Sequence, residues 1–220
     1  MTMVIFTFIF SKVVQVPSEN LPYPLFAFAA LTPWTYFSTC TTRCTNSLLE
    51  NAAILTKVYF PRIILVITPL FFSLLNFVIS FVVLVFLMFF YGVPPNLESI
   101  IMLPLFLLLA ALTGFTIGLW FAPLNVMFRD VAQAMPFFIQ FLLYATPIAY
   151  PLSIVPERFQ TLLQLNPLTH VVNGFRWALL GANTAPDPKM ALISTGIVMV
   201  LFVAGLYWFR RMENVFADVI

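Results

Sequence analysis

Side chains able to do chemistry are scarce in this 220-residue chain. The single histidine, His170, cannot build a histidine-based metal cluster. No serine or cysteine has an identifiable base with a third group to orient it. Cys40 and Cys44 lie four apart, a helical spacing poorly placed for a disulfide, and they read as small packing residues. None of the three lysines, Lys12, Lys57 and Lys189, follows a glycine, so there is no phosphate-cradling loop and the chain is not expected to hydrolyse ATP. The expectation is a protein that is not an enzyme, with no catalytic, cofactor-binding or metal-ligating residues.

The elements that hold these residues are set by lipid. Hydrophobic residues make up 62% of the chain, charged residues 8%, and the mean hydropathy is +1.02. A soluble domain carries about 25% charged residues, so a water-facing enzyme and a polar disordered chain are both excluded. A net charge of +2 does not argue for nucleic acid as a partner. Runs free of Asp, Glu, Lys and Arg cover residues 21–42, 63–97, 99–128, 131–156 and 190–209. Each approaches or exceeds the roughly 20 residues a helix needs to cross the hydrocarbon layer. Residues 1–11 are apolar but too short to span alone. They lack the basic start of a signal peptide and read as the outer part of a shortened first helix. Placing residues 43–62 inside puts Arg43, Lys57, Arg62, Arg129, Arg210 and Arg211 on one side, the bias that cytoplasmic loops show.

The connections are unusual. Over residues 46–62, Leu48, Ala52, Leu55 and Tyr59 form one helical stripe, while Asn46, Glu50 and Lys57 fall on another face, and Pro61 stops the helix. Such a helix can lie on lipid or present its polar face to a soluble partner. The uncharged run 159–175, interrupted by Asn166-Pro167, predicts two short helices; these either dip into the membrane and return or lie flat at its surface. Ala110, Gly114, Gly118 and Ala122 repeat every four residues, a pattern that lets helix backbones approach closely, within one subunit or between two. Aromatic residues crowd the span ends, among them Trp34, Phe37, Trp120, Tyr144 and Tyr150. They suit an interfacial belt or a conduit wall on which sugar faces stack. Charges within spans are few, which weakens an ion-coupled carrier and favours movement powered from outside the membrane.

Three stretches carry a family resemblance: Leu21-Pro22-Tyr23-Pro24-Leu25-Phe26, Leu31-Thr32-Pro33-Trp34, and Asn51-Ala52-Ala53-Ile54-Leu55-Thr56-Lys57-Val58-Tyr59-Phe60-Pro61-Arg62. Asn125-Val126-Met127-Phe128-Arg129-Asp130-Val131, Thr146-Pro147-Ile148-Ala149-Tyr150-Pro151 and Leu165-Asn166-Pro167-Leu168 add to it. Together they resemble the permease subunits of bacterial ATP-binding-cassette polysaccharide exporters, from about Phe10 to the C-terminus. The resemblance implies an all-α polytopic protein, one transmembrane permease domain over residues 1–220, with six transmembrane helices and re-entrant helices before the last. It implies a multi-pass location in the bacterial inner membrane, a homodimer, a separate cytoplasmic ATPase that binds the ATP, and a lipid-linked O-antigen, capsule or related glycan as cargo. Glu50, Asn51, Leu55, Lys57, Tyr59 and Arg62 then belong to the helix that couples to the ATPase. Arg129 and Asp130 belong to the cytoplasmic entrance loop, and Pro151, Asn166 and Pro167 to an outer gate. The start departs from the family, which carries a basic amphipathic helix and a full first span, and Val66 stands where the family has proline. Another cargo (teichoic acid, lipid or drug) and an inactive truncated permease are the alternatives.

Overall fold

The computed structural model describes residues 21–55, 61–95, 99–128, 130–182 and 185–216. The described residues fold as α-helices and short 3-10 turns, with no strand among them. In chain order the helices are α1 Tyr23–Glu50, α2 Ala52–Leu55, α3 Ile63–Phe90, α4 Leu103–Met127, α5 Asp130–Tyr144, α6 Glu157–Gln164, α7 Pro167–Leu180 and α8 Pro188–Phe216. Three helical stretches among the described residues are long and apolar enough to cross a membrane: Ile63–Phe90, Ile100–Met127 and Pro188–Glu213. Many of their large apolar side chains, Phe71, Phe86, Leu108 and Leu192 among them, are exposed, as lipid-facing residues are.

Helix α1 lies at the centre, against α3, α4 and α7. Its apolar run ends at Thr42, yet the helix continues to Glu50. Its 28 residues extend about 42 Å, against a hydrocarbon core of about 30 Å. The surplus of about 12 Å is the length of residues 43–50, so Arg43 and Glu50 can stay outside the lipid. Packing holds this extension. Cys44 Sγ donates to the Val66 carbonyl of α3 at 3.1 Å, and Asn125 Nδ2 of α4 donates to the Thr45 carbonyl at 3.2 Å and to Asn46 Oδ1 at 3.0 Å.

The small-residue stripe of α4 faces α1 within this subunit. A Cβ added at Gly118 would lie 2.4 Å from Cys44 Cβ, and one at Gly114 would lie 3.0 Å from Thr41 Oγ1. Both cysteines are buried and free, with their sulfurs 3.9 Å apart.

Helix α5 covers only the first half of the run 131–156 and ends at Tyr144. Pro147 cannot donate the next helical hydrogen bond and disfavours helix at Thr146. The chain turns instead, with Ile148 N donating to the Thr146 carbonyl at 2.7 Å. The predicted break at Asn166-Pro167 is present. Asn166 Oδ1 caps α7 by accepting from Leu168 N at 3.1 Å, and Pro167 takes the first helical position, where no N–H is needed. Gly181, at φ +64, closes α7 in the left-handed conformation that suits glycine.

Candidate transport groove, lever and gate

Helix α5 stands off from α1, and a cavity of about 540 Å³ opens between them. Trp34, Ser38, Thr39, Thr42 and Arg43 of α1 form one wall; Pro136, Ile139, Gln140 and Leu143 of α5 form the other. Two of the polar side chains in the α1 wall are satisfied by the helix itself. Ser38 Oγ donates to the Thr35 carbonyl at 3.1 Å and Thr42 Oγ1 to the Ser38 carbonyl at 2.9 Å. The lone pairs of those hydroxyls, and the Gln140 amide, remain available to a hydroxyl-rich ligand. Trp34 packs against Phe37, with ring centroids 5.3 Å apart, and lines the same cavity. Phe37 itself is fully buried in the core.

At one end Arg43 also lines a second cavity, of about 500 Å³, with Ser47, Glu50, Asn51, Thr68 and Phe72. This end carries the connection from α1 to α3. Glu50 is exposed at the last position of α1, and Asn51 Nδ2 donates back to the Ser47 carbonyl at 2.8 Å. Leu55 ends the short α2. Lys57 and Tyr59 lie outside the described residues. Arg62 reaches the far end of α8, where NH1 donates to the Glu213 carbonyl at 2.6 Å. The connection is thereby tied to α1, α3 and α8 together. Asp130 is exposed at the start of α5, and Arg129 lies outside the described residues.

At the other end the non-helical residues 145–151 are held by side chains. Arg176 of α7, only 1% exposed, donates from NH1 to the Pro147 carbonyl at 2.7 Å, from NH2 to the Ile148 carbonyl, and from Nε to the Phe26 carbonyl at 3.2 Å. Its guanidinium carbon sits 3.5 Å from the Phe26 ring centroid, within cation–π range. Tyr23 Oη donates to the Ala149 carbonyl at 2.9 Å, and Asn166 Nδ2 to Thr146 Oγ1 at 3.0 Å. Irregular backbone at membrane depth is tolerated only where protein or water satisfies it, and here three successive carbonyls, 147 to 149, each receive a side-chain donor. Pro151 is buried beyond this elbow, and Tyr150 Oη donates to the Tyr144 carbonyl at 3.4 Å.

The structure therefore separates the aromatic candidates. Trp34 faces the groove, Phe37 supports it from the core, and Tyr144 and Tyr150 sit at the elbow beside its far end. Trp120 does not join them. It stacks on Trp208 at 5.8 Å and donates to the Leu201 carbonyl of α8 at 3.0 Å. Sequence reasoning missed Arg176 as a clamp and the groove hydroxyls as a set. The run Ser38-Thr39-Cys40-Thr41-Thr42 inside an uncharged stretch was the available signal for the second.

The family profile described as ABC-2 type transporter matches residues 1–180. The O-antigen export system permease protein RfbA of Klebsiella pneumoniae is 29% identical over 216 residues, which is 98% of this chain and 82% of the relative. The RfbA protein of Myxococcus xanthus is 30% identical over 218 residues, 96% of this chain and 81% of its own. The polysialic acid transport protein KpsM of Escherichia coli is 22% identical over 206 residues, 94% of this chain and 80% of that one.

Proposed function

The chain belongs to the ABC-2 type transporter family, and from that premise we propose that it is the permease subunit of an ATP-driven exporter that moves a lipid-linked polysaccharide across the bacterial inner membrane. The cargo is an O-antigen, a capsule or a related glycan. The supporting observation is the groove between α1 and α5: an aromatic ring, hydroxyls and an amide, with a single charge, Arg43, at one end, groups that stack on sugar faces and bond hydroxyls.

In this reading six spans and a second copy of the chain enclose the path. The end that gathers Arg43, Arg62, Arg210 and Arg211 faces the cytoplasm. A separate ATPase grips residues 51–62 there and closes when it binds ATP. The driving free energy is the difference in ATP affinity between two conformations of the assembly. The chain supplies a path and a lever and performs no bond chemistry. Because residues 51–62 connect α1 to α3, and Arg62 bonds α8, a displacement at this point moves three helices together.

Removal of the chain from its host should leave glycan-lipid inside the inner membrane and absent from the cell surface, with export restored by the cloned gene. In proteoliposomes, transport should require both the permease and its ATPase. Glycan-lipid movement by the permease alone would contradict the scheme.

A further inference from the structure

Away from the groove, two cavities meet at His170. The first, of about 210 Å³, is polar and lies where α6, α7 and the start of α8 converge; Gln164, Asn173 and Asp187 line it. Asn173 is only 5% exposed, and neither its amide nor that of Gln164 makes a side-chain hydrogen bond among the described residues. Both amides line the cavity, so their donors are open to a ligand or water there. His170 Nε2 donates to the Gln164 carbonyl at 2.7 Å, which leaves Nδ1 as an acceptor on the neutral ring. Asp187 Oδ1 accepts from the Lys189 backbone N at 2.9 Å at the start of α8, which holds a carboxylate in the cavity lining.

The second cavity, of about 540 Å³, is apolar and runs between α4 and α8 from the same histidine. Leu105, Leu108 and Leu112 line one side, Leu192 and Met199 the other, and Leu192 is 77% exposed. Gly196 widens the groove, since an added Cβ would meet nothing within 4 Å. From Pro188 to Met199 the groove follows α8 for about 16 Å. That is close to half of the roughly 30 Å hydrocarbon thickness, the depth of one leaflet.

A polar chamber with one carboxylate and two amides, sharing His170 with an apolar groove one leaflet deep, has the shape and charge of a lipid site. We propose that this cleft holds one zwitterionic aminophospholipid, with its ammonium at Asp187, its phosphodiester at Asn173 and Gln164, and an acyl chain between Leu108 and Leu192. A primary ammonium can donate to a carboxylate; a trimethylated one cannot, and an anionic headgroup without an amine is repelled by Asp187. The proposal rests on the membrane reading above for its leaflet, but not on the cargo.

The test is native mass spectrometry of the full chain in detergent, titrated with dioleoyl phosphatidylethanolamine, phosphatidylcholine or phosphatidylglycerol. Phosphatidylethanolamine should be retained about tenfold better than the other two. Asp187→Asn, which keeps a residue able to cap α8, should erase that preference, and Gly196→Leu should reduce retention of all three by filling the groove. Equal retention of the three headgroups, a preference for phosphatidylglycerol, or a preference unchanged in both variants overturns the proposal. So does a groove covered by a second copy of the chain, read as a dimer that Gly196→Leu dissociates at any lipid composition. Headgroup preference without glycan export would refute the transport reading alone; export without preference would refute the lipid site alone.

Discussion

Gly118→Ala probes the contact on which the proposed lever depends. The added methyl would lie 2.4 Å from Cys44 Cβ, and 3.6 Å from both the Cα and the carbonyl carbon of the same residue. A Cβ cannot swing away as the end of a flexible side chain can, so α1 and α4 must separate or shift. Overpacking of this kind costs about 1–3 kcal/mol. The alanine recovers up to about 1 kcal/mol of helix propensity, so the net loss lies somewhat below that range. For a chain of this size each kcal/mol moves Tm by roughly 2–4 °C. The loss of Tm is measured on purified protein in detergent. Gly196→Ala is the control: it adds the same methyl to a helix, in open space, and should leave Tm unchanged or raise it. Cys44→Gly removes the opposing Cβ. It costs stability by itself, through glycine's poor helix propensity and the lost bond to Val66, but in the Gly118→Ala background it should recover part of the loss. Additive effects in that double-mutant cycle, or a Gly118→Ala protein as stable as Gly196→Ala, would refute the backbone-to-backbone packing of α1 on α4.

Arg176→Lys keeps the charge but cannot serve three carbonyls and a ring at once, and should destabilise the protein by about 2–3 kcal/mol, read as a lower Tm in detergent; equal stability would remove the clamp from the account. Asn166→Ala loses the cap of α7 and the bond to Thr146, a cost of about 1–2 kcal/mol by the same measurement, and Asn166→Asp should recover the cap but not the Thr146 bond. Charge reversal at Glu50 or Lys57 should abolish glycan export in cells while membrane insertion, followed by immunoblot, is unchanged; full export after both reversals would sink the coupling role of residues 51–62.

The lipid-facing helices were legible because hydrocarbon imposes a simple rule on sequence: a run without charge, long enough to cross. Their ends were not. The continuation of α1 from Thr42 to Glu50 depends on Asn125 and Val66, residues far along the chain that no local pattern connects to it. The same rule does not find the partners of Arg176. A charge read by itself belongs to a loop, yet this one is buried because the elbow at 147–148 offers it bare carbonyls, 28 and 29 residues away. The stripe Ala110-Gly114-Gly118-Ala122 showed in sequence that a close approach existed, but not that its partner was α1. Trp120 groups in sequence with the other span-end aromatics, and only the geometry of α8 shows that it stacks on Trp208 and donates to the Leu201 carbonyl.

The two sides of α1 differ in stiffness, and that difference bears on the transport path. Against α4 its backbone is nearly in contact, through Cys44 over Gly118 and Thr41 over Gly114, with no layer of side chains that could repack. Against α5 it presents Trp34, Ser38, Thr39 and Thr42 across a cavity of about 540 Å³. Packed interfaces resist sliding because every contact is lost at once, whereas a cavity wall moves without breaking a close-packed layer. In the transport scheme proposed above, a push on residues 51–62 would shift α1 and α4 as one body and change the width of the space beside α5. The clamp around Arg176 holds the far end of α1 to the elbow that follows α5, so the two walls stay joined there and the change in width is greatest at the end where the push arrives.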